Sequence, residues 1–85
     1  MKYRFTAHAL EKLERRGLVR SLVERVLERP GQVIEQRSGR QVLQSRVHFP
    51  DGEYLLRAIV DHGAEPPAVV TVYRTRYIAK YWRPE

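Results

Sequence analysis

The alternation of residues along predicted β-strands gathers several side chains capable of acid–base and phosphate chemistry on one face of a sheet. That face carries cationic, imidazole, amide and hydroxyl groups, from Gln44, Arg46, His48, Arg57, Tyr73 and Thr75. An open sheet face with these groups is suited to holding an RNA backbone and to acid–base chemistry on it. The predicted pairing also sets Arg46 opposite Arg57, which destabilises a sheet unless a negative group lies between them. A phosphate is the candidate for that group.

A hairpin over residues 41–60 is predicted to position this face. Asp51 and Gly52 are a strong turn signal, because Gly supplies the positive φ of a tight turn without a steric cost. With these two residues as the loop, the register is fixed, and a period of two separates a polar from an apolar face. The apolar face collects Leu43, Val47, Phe49, Leu56, Ala58 and Val60, together with Val70 and Val72 from a later strand.

Two helices are predicted before the sheet. Thr6 is a good N-cap for a helix over 7–16, which Gly17 ends. A second helix over 19–29 follows, and residues 21–24 resemble a capping box near its start. The apolar stripes of both helices require a surface to cover, and the apolar sheet face provides it.

The remaining pattern completes an α+β domain. A strand over 33–36 is expected to pair with the hairpin so that Ile34 faces Leu43, a β-branched strand covers 68–75, and one or two helical turns cover 76–82. The predicted fold is a single domain of 85 residues, with two N-terminal helices on one face of a four-stranded, largely antiparallel sheet and a short C-terminal helix. The other face is expected to stay partly open.

The chain is strongly basic. Sixteen Lys and Arg against ten Asp and Glu give a net charge of +6, and thirteen of the sixteen are Arg. This balance favours a polyanionic partner: nucleic acid, an acidic membrane surface or an acidic protein. The sequence has no apolar window long enough to span a membrane and no signal-peptide pattern, so the cytoplasm is the expected location and a membrane partner is not. His8, His48 and His62 lack metal-ligand spacing, and no metal or cofactor is expected.

Several segments occur in an order and spacing that are not generic. They are Thr6-Ala7-His8-Ala9, Arg15-Arg16-Gly17-Leu18, Val26-Leu27-Glu28-Arg29-Pro30, Val70-Thr71-Val72-Tyr73-Arg74-Thr75 and Lys80-Tyr81-Trp82. Nearly end to end, the chain resembles a small bacterial and archaeal domain of unknown function marked by a His-Ala dipeptide. That family is grouped with the RelE/ParE-like toxins and is similar to the BrnT toxins. The chain departs from it at Val19-Arg20, where members usually carry a Ser or Thr helix cap.

The resemblance implies a toxin-like fold and metal-independent RNA cleavage. Attack of a ribose 2′-OH on the adjacent phosphate needs a base, an acid for the leaving 5′-oxygen and cations around the developing charge. His8 is the candidate base or acid, Arg46 and Arg57 suit charge stabilisation, Tyr73 suits proton donation or stacking, and Thr75 suits a phosphate oxygen. The predicted RNA-binding residues are Arg16, Arg37, Arg40, Arg74, Arg76 and Lys80.

Each candidate also has a structural interpretation. His8 could cap its helix or pack on the sheet, Arg46 and Arg57 could pair with acidic residues, and Tyr73 could be a partly buried strand aromatic. Three other functions stay open: a non-catalytic RNA- or ribosome-binding module, a ParE-like toxin acting on a protein target, and a housekeeping domain that kept only the fold. The candidate partners are RNA or the ribosome, a small acidic antitoxin and a second copy in a homodimer.

Overall fold

Helix α1 (Ala7–Arg15) begins where the sequence predicts. In the computed structural model, which describes residues 3–84, the Thr6 hydroxyl accepts a hydrogen bond from the Ala9 amide at 3.0 Å. This bond satisfies one of the amide groups that a helix leaves unpaired at its first turn. Gly17, at φ +64°, follows the helix and turns the chain. The prediction of a Thr6-capped helix ended by Gly17 is therefore confirmed.

Helix α2 (Arg20–Glu28) begins without the predicted capping box. Its N-cap is Val19, which makes no side-chain cap hydrogen bond, and Glu24 instead pairs with Arg20 at 3.1 Å. The helix is held mainly by packing, because Val23, Val26 and Leu27 are buried. The capping-box prediction for residues 21–24 was wrong.

The sheet has five strands in the order β1-β5-β4-β3-β2, and it is mixed. The bounds are β1 Arg4–Phe5, β2 Gln32–Glu35, β3 Arg40–Phe49, β4 Gly52–Asp61 and β5 Ala68–Thr75, followed by helix α3, Ile78–Tyr81. Strand β1 pairs in parallel with β5, whereas the other three pairings are antiparallel. The prediction of a four-stranded, largely antiparallel sheet was therefore wrong.

The pairing of strand β1 with the sheet could not be recognised from its own pattern, since two residues are too few to show an alternation. Its place in the sheet depends on contacts with a distant part of the chain. The Arg4 amide donates to the Pro67 carbonyl at 2.9 Å, and the Thr6 amide donates to the Val69 carbonyl at 3.1 Å. The parallel edge thus joins the start of α1 to the start of β5.

The loop of the central hairpin lies one residue earlier in the chain than predicted. Pro50 and Asp51 form the loop, and Phe49 pairs with Gly52, which lies inside β4 at φ +136°. Pro has a fixed φ suited to the first loop position, which explains why it takes part in the turn and does not end the strand. Gly52 still supplies the unusual backbone angle, although as a strand residue.

The new register changes cross-strand partners but not faces. Arg57 lies opposite Gln44 and Arg46 lies opposite Leu55, so the two arginines are not paired as predicted. The register between β3 and β4 differs from the predicted one by two residues. Because side chains alternate with a period of two, this shift keeps each side chain on its own face. The separation into a polar and an apolar face is therefore retained.

The outer pairing of β2 with β3 differs from the prediction by a single residue. Val33 lies opposite Leu43 and Ile34 lies opposite Val42, so the predicted pairing of Ile34 with Leu43 was wrong. An odd shift exchanges the two faces of a strand. Val33 consequently shares the core face with Leu43, although on the edge strand it stays 49% exposed.

The core lies between the first two helices and one sheet face. It consists of Ala9, Leu13, Leu18, Val23, Val26 and Leu27 packed with Leu43, Leu56, Ala58, Val60, Val69 and Val72. The opposite face carries Tyr81 and Trp82 over two of its arginines, Arg57 and Arg46. The polar face, which was predicted to stay partly open, is thus covered over this part of the sheet. No helix within residues 3–84 is long and apolar enough to cross a bilayer.

Candidate functional site

Arg57 is the centre of the polar face. It is 8% exposed, and only Gln44 is also polar and buried among the described residues. The Arg57 Nε donates to Gln44 Oε1 at 2.9 Å, and Nη1 donates to the Tyr73 hydroxyl at 2.6 Å. A guanidinium has five N–H donors, so these two bonds leave capacity for a further acceptor.

The charge of Arg57 is stabilised by contacts with aromatic rings and not by an acid. Its guanidinium carbon lies 4.1 Å from the Tyr81 ring centroid and 5.8 Å from that of Tyr73. Ring faces attract a cation. Within residues 3–84, Arg57 forms no salt bridge. A buried guanidinium without a carboxylate is unusual, because buried charges are normally paired.

Gln44 connects this arginine to the C-terminal segment. Its amide nitrogen donates to Gln32 Oε1 at 2.8 Å and to the Tyr81 carbonyl at 3.2 Å. Gln32 in turn donates to the Arg83 carbonyl at 2.7 Å and accepts from the Arg83 amide at 3.1 Å. The network therefore fixes both the guanidinium and the chain that covers it.

Sequence reasoning missed Gln32 and Tyr81 as members of this network. Gln44 occupies a fully buried strand position, and an amide there must have hydrogen-bond partners. The alternating pattern of β3 placed Gln44 on the polar face but did not show that it is buried. Neither its burial nor its partners could be predicted, because the partners come from a short edge strand and from a helix of one turn.

Arg46 lines a groove next to the Arg57 site. Its guanidinium lies 4.7 Å from the Trp82 ring centroid, and it is exposed to solvent. The groove is lined by Arg46, Glu53, Ile78, Ala79, Trp82 and Pro84. It therefore combines a cation, an aromatic ring and a carboxylate with small apolar surfaces.

Thr75 and Lys80 lie at the end of the sheet and on α3. The Thr75 hydroxyl accepts a hydrogen bond from the Tyr77 amide at 3.1 Å, which shapes the turn into α3. The Lys80 ammonium lies 5.3 Å from the Tyr81 ring centroid and is exposed. Lys80 is thus placed beside an aromatic ring that also covers Arg57.

Arg74 and Arg76 belong to a separate cluster at the hairpin loop. Asp51 lies 3.2 Å from Arg76 and 3.8 Å from Arg74, and it accepts a hydrogen bond from the Tyr54 hydroxyl at 2.7 Å. Arg76 also donates to the Tyr54 hydroxyl, and Arg74 stacks over the Phe49 and Tyr54 rings. One carboxylate between two arginines leaves this cluster with net positive charge.

The Asp51 cluster should make the free energy of unfolding depend on pH in the acid range. The Tyr54 hydroxyl, and then the two arginines, lower the pKa of Asp51 in the folded protein. A lowered folded pKa contributes stability above the ordinary aspartate value of about 4, and this contribution is lost as the pH falls through the folded pKa. We expect Asp51→Asn to lower the urea midpoint at neutral pH and to converge with the wild type once the pH is below the folded pKa of Asp51. Glu11→Gln is the control, and a gap that persists in acid would contradict the assignment.

His8 lies apart from the Arg57 site. It is exposed on the first turn of α1 and lines a shallow depression with Thr6, Arg40, Val70 and Thr71. Arg40 is thereby near His8, whereas Arg57 and Tyr73 do not line this depression. The structure thus divides the predicted catalytic residues between two places.

The other predicted RNA-binding arginines are dispersed. Arg16 donates from Nη1 to the Val72 carbonyl at 2.6 Å, which ties the end of α1 to β5. Arg37 is exposed in the turn between β2 and β3. Within residues 3–84, no three His, Asp or Glu side chains are grouped so that they could hold a metal ion.

Comparison with known proteins adds a family to this geometry. A family model described as Domain of unknown function (DUF4258) matches residues 5–74, which is most of the chain. The chain belongs to this family. The DUF4258 region includes His8, Arg57 and Tyr73, and it ends before α3 and the residues that cover the polar face. No curated protein and no solved structure matches the chain.

The DUF4258 match leaves the activity open, since its description names none. The suggested relation to RelE/ParE-like and BrnT toxins therefore stays a prediction. The geometry of Arg57, Tyr73 and their neighbours is the evidence from which a function can be argued.

Proposed function

We propose that this chain acts on RNA and holds a backbone phosphate against Arg57 and Tyr73. The observation that carries the proposal is the buried guanidinium of Arg57, which is bonded only to neutral acceptors and forms no salt bridge within residues 3–84. A phosphate oxygen supplies the negative charge that this position lacks, and arginine suits it because its donors are planar and paired. The net charge of +6 favours approach of a polyanion.

Arg57 and Tyr73 also support cleavage of the RNA by attack of the 2′-OH on the bound phosphate. Arg57 would stabilise the charge that develops on the phosphate oxygens. Tyr73 accepts a hydrogen bond from Arg57 with its oxygen, so its own proton is free to be donated. We assign Tyr73 the role of acid toward the leaving 5′-oxygen, while solvent water takes the proton of the attacking 2′-OH, which makes the chain a metal-independent endoribonuclease.

A non-catalytic RNA- or ribosome-binding module is the second candidate. It is favoured by the position of His8, which lines a different depression from the one beside Arg57. Without a base at the Arg57 site, the attacking hydroxyl would lose its proton only to solvent. Binding would then persist while cleavage stays slow.

The toxin assignment extends this proposal to partners and location. A toxin that cleaves RNA acts in the cytoplasm, and a small acidic antitoxin would complement the positive charge of the chain. A homodimer and a ParE-like action on a protein target are further outcomes. A small acidic partner encoded beside this chain would support the toxin assignment.

The test is incubation of the purified protein with total RNA and with ribosome-associated RNA, each with and without EDTA. We expect cleavage in both settings, unchanged by the chelator, with products that carry a 2′,3′-cyclic phosphate because the 2′-OH is the nucleophile. Heat-inactivated protein and a mock purification control for contaminating ribonuclease.

The outcomes separate the candidate functions. Binding without cleavage would support the binding module over the nuclease. Loss of cleavage in EDTA would contradict a metal-independent reaction. If the protein neither binds nor cleaves RNA, the RNA proposal is overturned and a protein target is favoured.

A further inference from the structure

The groove beside the Arg57 site has the components of a nucleobase pocket. Its aromatic component is Trp82, the one tryptophan of the chain, and Ile78 and Pro84 add apolar surface. Unstacked bases of single-stranded RNA are held on aromatic side chains and on guanidinium planes. Trp82 and Arg46 provide both kinds of surface within one groove.

The groove lies close to the proposed phosphate position. Arg46 is two residues from Gln44 on β3, and Gln44 is directly opposite Arg57. Two residues of strand span about 7 Å and return to the same face. A nucleotide whose phosphate contacts Arg57 can therefore place its base, or that of its neighbour, in the groove.

The position of Trp82 is fixed by packing on its other side. A Cβ added at Gly31 would lie 3.0 Å from the distal ring carbon of Trp82, so the indole packs closely against that glycine. Arg46 lies over the ring at 4.7 Å. The aromatic wall of the groove is therefore held in place before any ligand arrives, which lowers the entropic cost of binding.

Glu53 is the residue of the groove whose chemistry can discriminate between bases. It lines the groove on β4, it is exposed, and it forms no salt bridge among the described residues, although Arg46 lines the same groove. A carboxylate accepts hydrogen bonds and donates none, so it suits the exocyclic amino group of cytosine and not the carbonyl of uracil.

We propose that the groove between Arg46, Trp82 and Glu53 is a nucleobase subsite that prefers a base with an exocyclic amino group, cytosine over uracil. The proposal rests on the RNA-binding function proposed above and gives it a substrate preference. The Arg46 guanidinium, which lies over the Trp82 ring, supplies a stacking plane for any base, and Glu53 supplies the discrimination.

The experiment measures binding of short homopolymers of cytidine and uridine by quenching of Trp82 fluorescence. Their 2′-hydroxyls are O-methylated so that the cleavage reaction cannot occur. We expect the cytidine polymer to bind about fivefold more tightly, the lower end of what one base contact contributes.

Glu53→Gln is the deciding variant. Glutamine both donates and accepts, so we expect the two polymers to bind with equal affinity while Trp82 quenching persists. Glu28→Gln, an exposed carboxylate at the end of α2, makes the same charge change away from the groove and should keep the preference.

The outcomes distinguish this proposal from the one on which it rests. Equal affinities in the wild type, or a preference that survives Glu53→Gln, would overturn the subsite. If Arg57→Met then weakens both polymers alike, the phosphate site still stands. If Arg57→Met weakens neither polymer, the phosphate site fails instead. Absence of binding by both polymers would overturn both proposals.

Discussion

Replacing Arg57 by methionine should lower the RNA affinity of the folded protein by about ten- to hundredfold, the contribution of a hydrogen-bonded charge. Methionine approximates the aliphatic stem of Arg57 but removes every donor, together with the guanidinium that contacts the Tyr73 and Tyr81 rings. The dependence of log affinity on log salt should become shallower by about 0.7, because one fewer phosphate is neutralised on a single strand. Both quantities come from titrations at several salt concentrations.

The variant will also lose stability, because Gln44 Oε1 and the Tyr73 hydroxyl lose their donor. We expect about 1 to 3 kcal/mol, the cost of leaving buried polar groups without a partner, measured by urea unfolding. Affinity must therefore be expressed per folded molecule. Arg25→Met, an exposed position on α2, is the matched control for charge.

Arg57→Lys separates charge from geometry. Lysine keeps the positive charge, and so the salt dependence, but its single ammonium cannot reproduce two directed bonds and a stacked plane. A purely structural Arg57 would give lowered stability in both variants with unchanged affinity and an unchanged salt slope. That result would remove the observation on which the RNA proposal depends.

The sequence predicted the faces of the hairpin better than its pairing. Side-chain alternation assigns Arg46, Arg57 and Tyr73 to one face, and this assignment survives any slip of two residues. The choice of loop residues decided the register, and Pro50 displaced Gly52 from the loop. Hence the pairing of two arginines, which first suggested a phosphate, is absent. The argument for a phosphate now rests on the burial of Arg57.

The C-terminal segment was the main feature that the sequence could not place. Helix α3 has a single turn, and its packing depends on long-range contacts such as Gln44 with the Tyr81 carbonyl and Gln32 with Arg83. Local periodicity carries no information on such contacts. As a result, the sequence did not predict that this face holds a partly enclosed cation.

The structure also sorts the cations that composition alone treats as equal. Arg74 and Arg76 share Asp51, and Arg16 is bonded to a backbone carbonyl of β5. Arg57 has no such anionic partner among the described residues. Net charge therefore predicts the class of partner, whereas the position of its contact follows from which guanidinium is both buried and without an acid.

Replacing Tyr73 by phenylalanine should reduce RNA cleavage by about two orders of magnitude, as the loss of a positioned general acid does. The ring and its contact with Arg57 stay, and only the hydroxyl that accepts the Nη1 hydrogen bond is removed. RNA affinity should change by less than about fivefold, because the guanidinium still binds the phosphate and the hydrogen bond from the Tyr73 hydroxyl to the uncharged 5′-oxygen contributes roughly 1 kcal/mol. Single-turnover cleavage and equilibrium binding on the same preparation measure the two effects.

Tyr77→Phe is the matched control. This substitution removes the same hydroxyl from a side chain that is 72% exposed and lies outside the site. A substrate with a better leaving group at the 5′-oxygen, such as a nitrophenolate, no longer needs an acid, so it should restore most of the rate in Tyr73→Phe. Rescue by that substrate would tie the hydroxyl to leaving-group protonation, which a structural role could not produce. If Tyr73→Phe cleaves as fast as the wild type, Tyr73 is not the acid. Equal losses with both substrates would assign its hydroxyl to the positioning of Arg57.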